Sequence, residues 1–152
     1  MATAENFRHP EPSRNEALTQ YPMARILLID DDDSVRTIVR LFLARSGHTV
    51  IEACDGQEGL DLFPATAADL VITDMMMPKK SGLEVMLALR EMQPPVKIIA
   101  ISGGGRPGED HPLVTAHQLG AVRVFTKPFS CDLLMAAINE VLPDGTAVAV
   151  GR

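Results

Sequence analysis

The chain has 152 residues, 46% of them hydrophobic, enough to bury one sizeable core, so a single domain with polar ends is expected. A formal charge of -6 argues against a phosphate-backbone binder, because non-specific nucleic-acid affinity needs clustered Lys and Arg. Cys54 and Cys131 lie far apart in a chain without a signal-peptide pattern, which excludes a disulfide scaffold and points to reduced thiols in a cytoplasmic protein; no apolar stretch reaches the ~20 residues of a membrane span.

Residues 1–24 are polar, carry three prolines and show no apolar period, so they read as a disordered tail. Three glutamates and the lack of an h-region speak against a targeting peptide. Met23, just ahead of the first strand, is an alternative translation start that intact mass would decide. From residue 25 the pattern alternates. "RILLID" (25–30) is a short apolar run, and "SVRTIVRLFLARSG" (34–47) places Val35, Ile38, Val39, Phe42 and Leu43 at helical spacing before a glycine. The same alternation returns in "HTVIEA" and "QEGLDLF", in "DLVIT" and "SGLEVMLALREM", in "VKIIAIS" and "HPLVTAHQLG", and in "RVFT" and "SCDLLMAAINEVL". Five strand–helix pairs with nearly all-apolar strands predict an α/β domain over 25–143, a parallel sheet covered by helices on both faces. Residues 144–152 are too few for a second domain, and the expectation is a stand-alone unit.

In an open parallel sheet, functional groups gather at the carboxyl ends of the strands. Those ends carry Asp30 and Asp31, Asp74, Ser102 and Lys127, while the second strand offers only Ala53 and Cys54. Ordinary roles compete for each of them. An acidic run at a helix start complements the helix dipole, which accounts for Asp33 as a cap and extends to Asp32, but less well for the acids that end the strand. Lys127 taken alone is a solvated lysine, and Ser102 a turn former before "GGG". If Asp30, Asp31 and Asp74 converge, two charges ~4 Å apart repel by roughly 4 kcal/mol at an effective dielectric near 20. Protonation or a hard divalent cation such as Mg²⁺ would relieve that. The methionines at 75–77 read as a turn with packing, the four histidines carry no ligand spacing, and Cys54 and Cys131 read as small, partly buried residues.

Taken together, "LLIDDD", "DLVITDMMMP", "SG", "IIAIS" and "FTKPF", in that order at the strand ends, resemble the receiver domain of bacterial two-component response regulators. The resemblance spans about residues 25–143. It implies a (βα)5 flavodoxin-like, doubly wound sheet of strand order 2-1-3-4-5. It also implies a function as a phosphoacceptor switch and not a conventional enzyme, fed by a sensor histidine kinase or a histidine phosphotransfer protein and signalling to a downstream protein; the charge and the lack of a long apolar stretch add the expectation of no nucleic-acid or membrane partner. Asp74 would be the phosphoacceptor. Asp31 and Asp74 would bind Mg²⁺ (or Mn²⁺) directly, Asp30 through a water, and the backbone carbonyl of Met76 would add a ligand. Lys127 would pair with phosphoryl oxygens, and the Ser102 hydroxyl would swing to bond one of them, carrying the signal through the fourth helix, fifth strand and fifth helix.

Two departures stand out. Val124 occupies the fifth-strand position where the family usually has an aromatic switch residue, and "SGGGRPGEDHP" is a long glycine-rich loop, expected to be what phosphorylation orders. Met76 and Gly104 offer no acid or amide to orient a hydrolytic water, which favours slow self-dephosphorylation. Two alternatives remain at this level: a phosphorylation-independent docking module, which has no need of the full polar set, and an aspartyl-phosphate hydrolase, which needs a second acid where Met76 stands. A flavin site is disfavoured by the acidic first loop.

Overall fold

The computed structural model describes residues 23–92, 95–103 and 111–142. The expected tails, Gly104 and most of the glycine-rich loop fall outside these residues. Five strands, β1 (Arg25–Ile29), β2 (Thr49–Ala53), β3 (Leu70–Asp74), β4 (Lys97–Ser102) and β5 (Arg123–Thr126), alternate with α1 (Asp33–Arg45), α2 (Gly56–Thr66), α3 (Gly82–Glu91), α4 (Pro112–Gln118) and α5 (Cys131–Val141). The sheet is parallel throughout, in the order β2-β1-β3-β4-β5. This is the flavodoxin-like (βα)5 architecture expected from the resemblance.

Because strand side chains alternate between faces, each inner strand feeds two cores. Ile26, Leu28, Leu70, Ile72, Ile99 and Ile101 pack against Val39 and Leu43 of α1 and Leu134 and Ile138 of α5. Leu27, Ile29, Val71 and Ala100 face Leu60, Val85, Met86, Leu89, Leu113 and Ala116 of α2, α3 and α4. Each fully buried aliphatic side chain contributes about 1.5–3 kcal/mol, so β1, β3 and β4 form a stiff platform. Continuing the alternation puts Asp30 and Asp74 in the parity of the α1/α5 face and Ser102 in that of the three-helix face.

Several local expectations are corrected. Ile38 was placed in the apolar stripe of the first helix but is 60% exposed, and the buried contacts come from Val39 and Leu43. Asp32, not Asp33, caps α1: its side chain accepts hydrogen bonds from the amides of Ser34 and Val35, while Asp33 is the first helical residue. α2 continues beyond the expected Phe63, through Pro64 to Thr66, and ends on Ala67 in the left-handed region at φ 48°. Arg25 Nε donates to the Thr66 carbonyl at 2.6 Å, satisfying one of the last carbonyls that a helix end leaves without an intrahelical donor. The methionines divide as expected for a turn with packing: Met75 is buried, Met77 lies partly against the core, and Met76 is exposed.

Candidate functional site

Asp74 is the last residue of β3 and is buried. Its position is set from both sides. The Met75 amide donates to the Ile101 carbonyl at 2.8 Å, extending the β3–β4 ladder past Asp74. On the other side, Gly82 opens α3 so close beneath it that a Cβ there would stand 2.2 Å from the Asp74 carbonyl oxygen and 2.6 Å from the Met75 Cα. Ser81 caps the same helix in a reciprocal capping box with Glu84. The "SG" of the sequence therefore holds the backbone of Asp74 in place. The Met76 amide donates to Asp74 Oδ1 at 3.1 Å, fixing that carboxylate oxygen.

Asp30 follows β1 and is buried, its amide still reaching the Ala53 carbonyl of β2 at 3.2 Å. Asp31, next to it, is exposed. One carboxylate oxygen from each of Asp30, Asp31 and Asp74 lies within 4.8 Å of the others, so the three predicted acids converge. Lys127 joins them: its Nζ is 3.0 Å from Asp30 Oδ2 and 2.9 Å from Asp74 Oδ2. Its own amide donates to the Ser102 carbonyl at 2.8 Å, placing the residue directly after β5. Ser102 ends β4 opposite Thr126 and is fully buried.

The charges are unevenly compensated. Burial, helped by the nearby Asp74 charge, holds the Asp30 carboxyl above its ordinary range, although the Asp32 amide and Lys127 act the other way. Burial also lowers Lys127, but its bonds to Asp74 and Asp30 outweigh it and hold the ammonium above its ordinary value. One ammonium thus serves two buried carboxylates with a third acid at the rim. An all-oxygen hard donor set that still carries excess negative charge fits Mg²⁺ or Mn²⁺.

The response regulator receiver domain model matches residues 26–139. The chain belongs to the receiver domain family. Receiver domains are phosphoacceptor switches of two-component systems, phosphorylated by histidine kinases or phosphotransfer proteins, and they bind Mg²⁺ through acidic residues. Among curated relatives, the chain is 35% identical over 118 residues to the alkaline phosphatase synthesis transcriptional regulatory protein PhoP of Bacillus subtilis, covering 78% of this chain and 48% of that protein. It is 36% identical over 121 residues to the transcriptional regulatory protein CpxR of Escherichia coli, covering 79% and 50%. The chain spans about half the length of these curated relatives. Among solved structures, a response regulator receiver domain protein from Clostridium thermocellum superposes with a TM-score of 0.72 at 31% identity, covering 80% of this chain and 95% of that one. The chemotaxis protein CheY4 of Vibrio cholerae gives 0.70 at 30% identity, covering 79% and 99%.

Within this receiver, Val124 is exposed on β5 and lines a shallow groove of about 370 Å³ with Leu113, Val114, His117 and Gln118 of α4. The expectation that Cys54 is partly buried is corrected: it is exposed, and its thiol donates to Glu58 Oε2 at 2.8 Å, which holds the thiol above its ordinary value. His48, assigned no chemistry from sequence, is buried; its Nδ1 accepts from the Ala24 amide at 3.2 Å and its Nε2 meets no partner among the described residues. Arg36 went unremarked in the sequence, yet its NH1 donates to the Asp30 carbonyl at 2.7 Å. Its i,i+3 spacing from Asp33 was the only signal that could have drawn attention to it. No described helix is long and apolar enough to cross a membrane.

Proposed function

We propose that Asp74 is the phosphoacceptor of a two-component relay, taking a phosphoryl group from a phosphohistidine of a kinase or phosphotransfer protein. A carboxylate oxygen of Asp74 attacks phosphorus, the phosphorus–nitrogen bond breaks, and its electron pair returns to the donor imidazole, leaving an acyl phosphate on the strand. Such a transfer is mostly positioning and charge neutralisation. The convergence of Asp30, Asp31 and Asp74 with Lys127 bridging the two buried acids is the observation that supports this reading. Asp31 and Asp74, with Asp30 through a water and the Met76 carbonyl, would hold Mg²⁺, which when bound supplies charge compensation for the phosphoryl oxygens.

The chain's own groups do the remaining work. Met76 N–H fixes Oδ1 of Asp74, so one oxygen is oriented while Lys127 holds the other. On phosphorylation, the ammonium is free to exchange Asp74 for a phosphoryl oxygen without leaving Asp30, and the Ser102 hydroxyl turns to bond another. Ser102 ends β4 ahead of α4 and Lys127 follows β5 ahead of α5, which supports α4, β5 and α5 as the output face toward a downstream protein. Val124 carries no ring there, so the change is read through backbone and loop ordering, with residues 103–112 gaining amide-exchange protection in the phosphorylated state. Self-dephosphorylation is slow, because Met76 provides no base for water. Mg²⁺-dependent labelling by acetyl phosphate or a phosphorylated kinase tests the assignment: Asp74→Asn should lose the label with its fold intact, and a variant labelled like the native chain overturns it. A docking module independent of phosphorylation takes up no label in either form.

A further inference from the structure

Arg36 lies on α1, and its guanidinium spans three elements. NH1 donates to the Asp30 carbonyl at 2.7 Å, NH2 pairs with Asp33 Oδ1 within α1, and Nε faces Glu52 Oε1 of β2 at 3.4 Å. Glu52 in turn holds Arg40 Nε at 3.2 Å. The Arg36 side chain is only 15% exposed, whereas Asp33, its i,i+3 partner, is 86% exposed. A helix-surface ion pair needs no such burial. The contact that matters lies with the Asp30 carbonyl, because that oxygen belongs to the peptide joining Asp30 to Asp31, and fixing its plane fixes where the Asp31 side chain departs.

The register of β1 with β2 ends at Ile29 opposite Ala53, and the Asp30 amide makes the last bond to β2. Beyond that point the turn into α1 is held by the Asp32 amide on Asp30 Oδ1, at 2.9 Å, and by Arg36 on Asp30 O. One restrains the Asp30 carboxylate and the other the peptide that follows. We propose that Arg36, anchored by Glu52, is a positioning residue that orients the Asp30–Asp31 peptide so that the two carboxylates meet Asp74 around a divalent cation. This rests on the phosphoacceptor reading above.

Electrostatics and positioning make opposite predictions here. As a cation beside the acids, Arg36 weakens Mg²⁺ binding, so on charge alone Arg36→Gln tightens it and Arg36→Lys leaves it unchanged. As a positioning group, Arg36 cannot be replaced by either, since lysine offers no fork to span the Asp30 carbonyl and Glu52 together. Mg²⁺ titration calorimetry, with Mn²⁺ binding followed by electron paramagnetic resonance, should show both variants weakened by about tenfold, the range for groups that orient metal ligands. Saturating Mg²⁺ should return the acetyl phosphate labelling rate to the native value, a split that a loss of fold does not produce. Native or tighter affinity in either variant overturns the proposal. If the Arg36 variants do not fold, Glu52→Asp, which keeps the charge but shortens the reach to Arg36, decides: weaker binding supports the anchor and native binding overturns it. No Mg²⁺ binding by the native chain would overturn the phosphoacceptor reading, and this inference with it; native binding with indifferent variants removes this inference alone.

Discussion

Replacing Gly82 by alanine tests whether helix α3 holds the phosphoacceptor in place. The added Cβ would lie 2.2 Å from the Asp74 carbonyl oxygen, 2.6 Å from Met75 Cα and 2.9 Å from the Asp74 carbonyl carbon, all backbone atoms. Ordinary contact begins near 3.4 Å, so the first turn of α3 and the end of β3 must separate by roughly 1 Å in a close-packed interior. Overpacking of this kind costs about 1–3 kcal/mol. The helix-propensity gain of Gly→Ala, at most about 1 kcal/mol in a helix interior, is smaller still at the first helical residue and does not offset it. Net destabilisation is therefore expected. The larger effect falls on chemistry, since a misplacement of about 1 Å can cost on the order of 100-fold in rate. Thermal unfolding and the initial rate of acetyl phosphate labelling at saturating Mg²⁺ measure the two separately. Gly59→Ala is the control: its Cβ would meet Ile29 Cδ1 at 2.4 Å and Cγ1 at 2.9 Å, side-chain atoms of β1 with no atom of β3 or α3 among its nearest neighbours, so it should lose stability while keeping more of its labelling rate. A Gly82→Ala protein that labels at the native rate refutes the claim that α3 fixes the backbone of Asp74.

Three further outcomes are expected. Lys127→Met removes the ammonium that bridges Asp30 and Asp74, so Mg²⁺, relieved of a competing cation, should bind about tenfold tighter by calorimetry while phosphoryl retention shortens; weaker Mg²⁺ binding would contradict the charge balance drawn here. Ser102→Ala should leave labelling of Asp74 near native but reduce the amide-exchange protection gained on phosphorylation, and unchanged protection would remove the hydroxyl from the switch. Burial holds the His48 imidazole below its ordinary value of about 6.5, with no charged group contributing to the shift. The unfolded chain therefore binds the proton first, so the stability that His48 lends is present above that value and is lost as pH falls from it through the lower folded value. Denaturant unfolding from about pH 7.5 down to pH 5 should show a steeper decline for the native chain than for His48→Gln, and parallel declines would assign the acid sensitivity elsewhere.

The fold and the polar set were legible in the sequence because both follow from short-range patterns. Apolar runs of strand length alternating with 3.6-period helices dictate a covered parallel sheet, and the residues where those runs stop, Asp30, Asp74, Ser102 and Lys127, must then lie on one rim. Groups whose role comes from what folds against them were harder to read. Arg36 carries no sequence signal beyond its spacing from Asp33, since its role comes from the Asp30 carbonyl that folds against it, and Ile38 fitted the apolar stripe although the core buries Val39 and Leu43 and takes in Val35 only in part. The cap fell to Asp32 because hydrogen-bond geometry chose among four consecutive acids that composition could not rank. His48 went unread because burial, not residue type, sets its titration. By itself, then, the sequence determined which elements form and which residues end them, since backbone periodicity is local. Only the tertiary structure decided the distances among the carboxylates and the ammonium, the peptide held by Arg36 and the clearance at Gly82, because these depend on how segments distant in the chain pack.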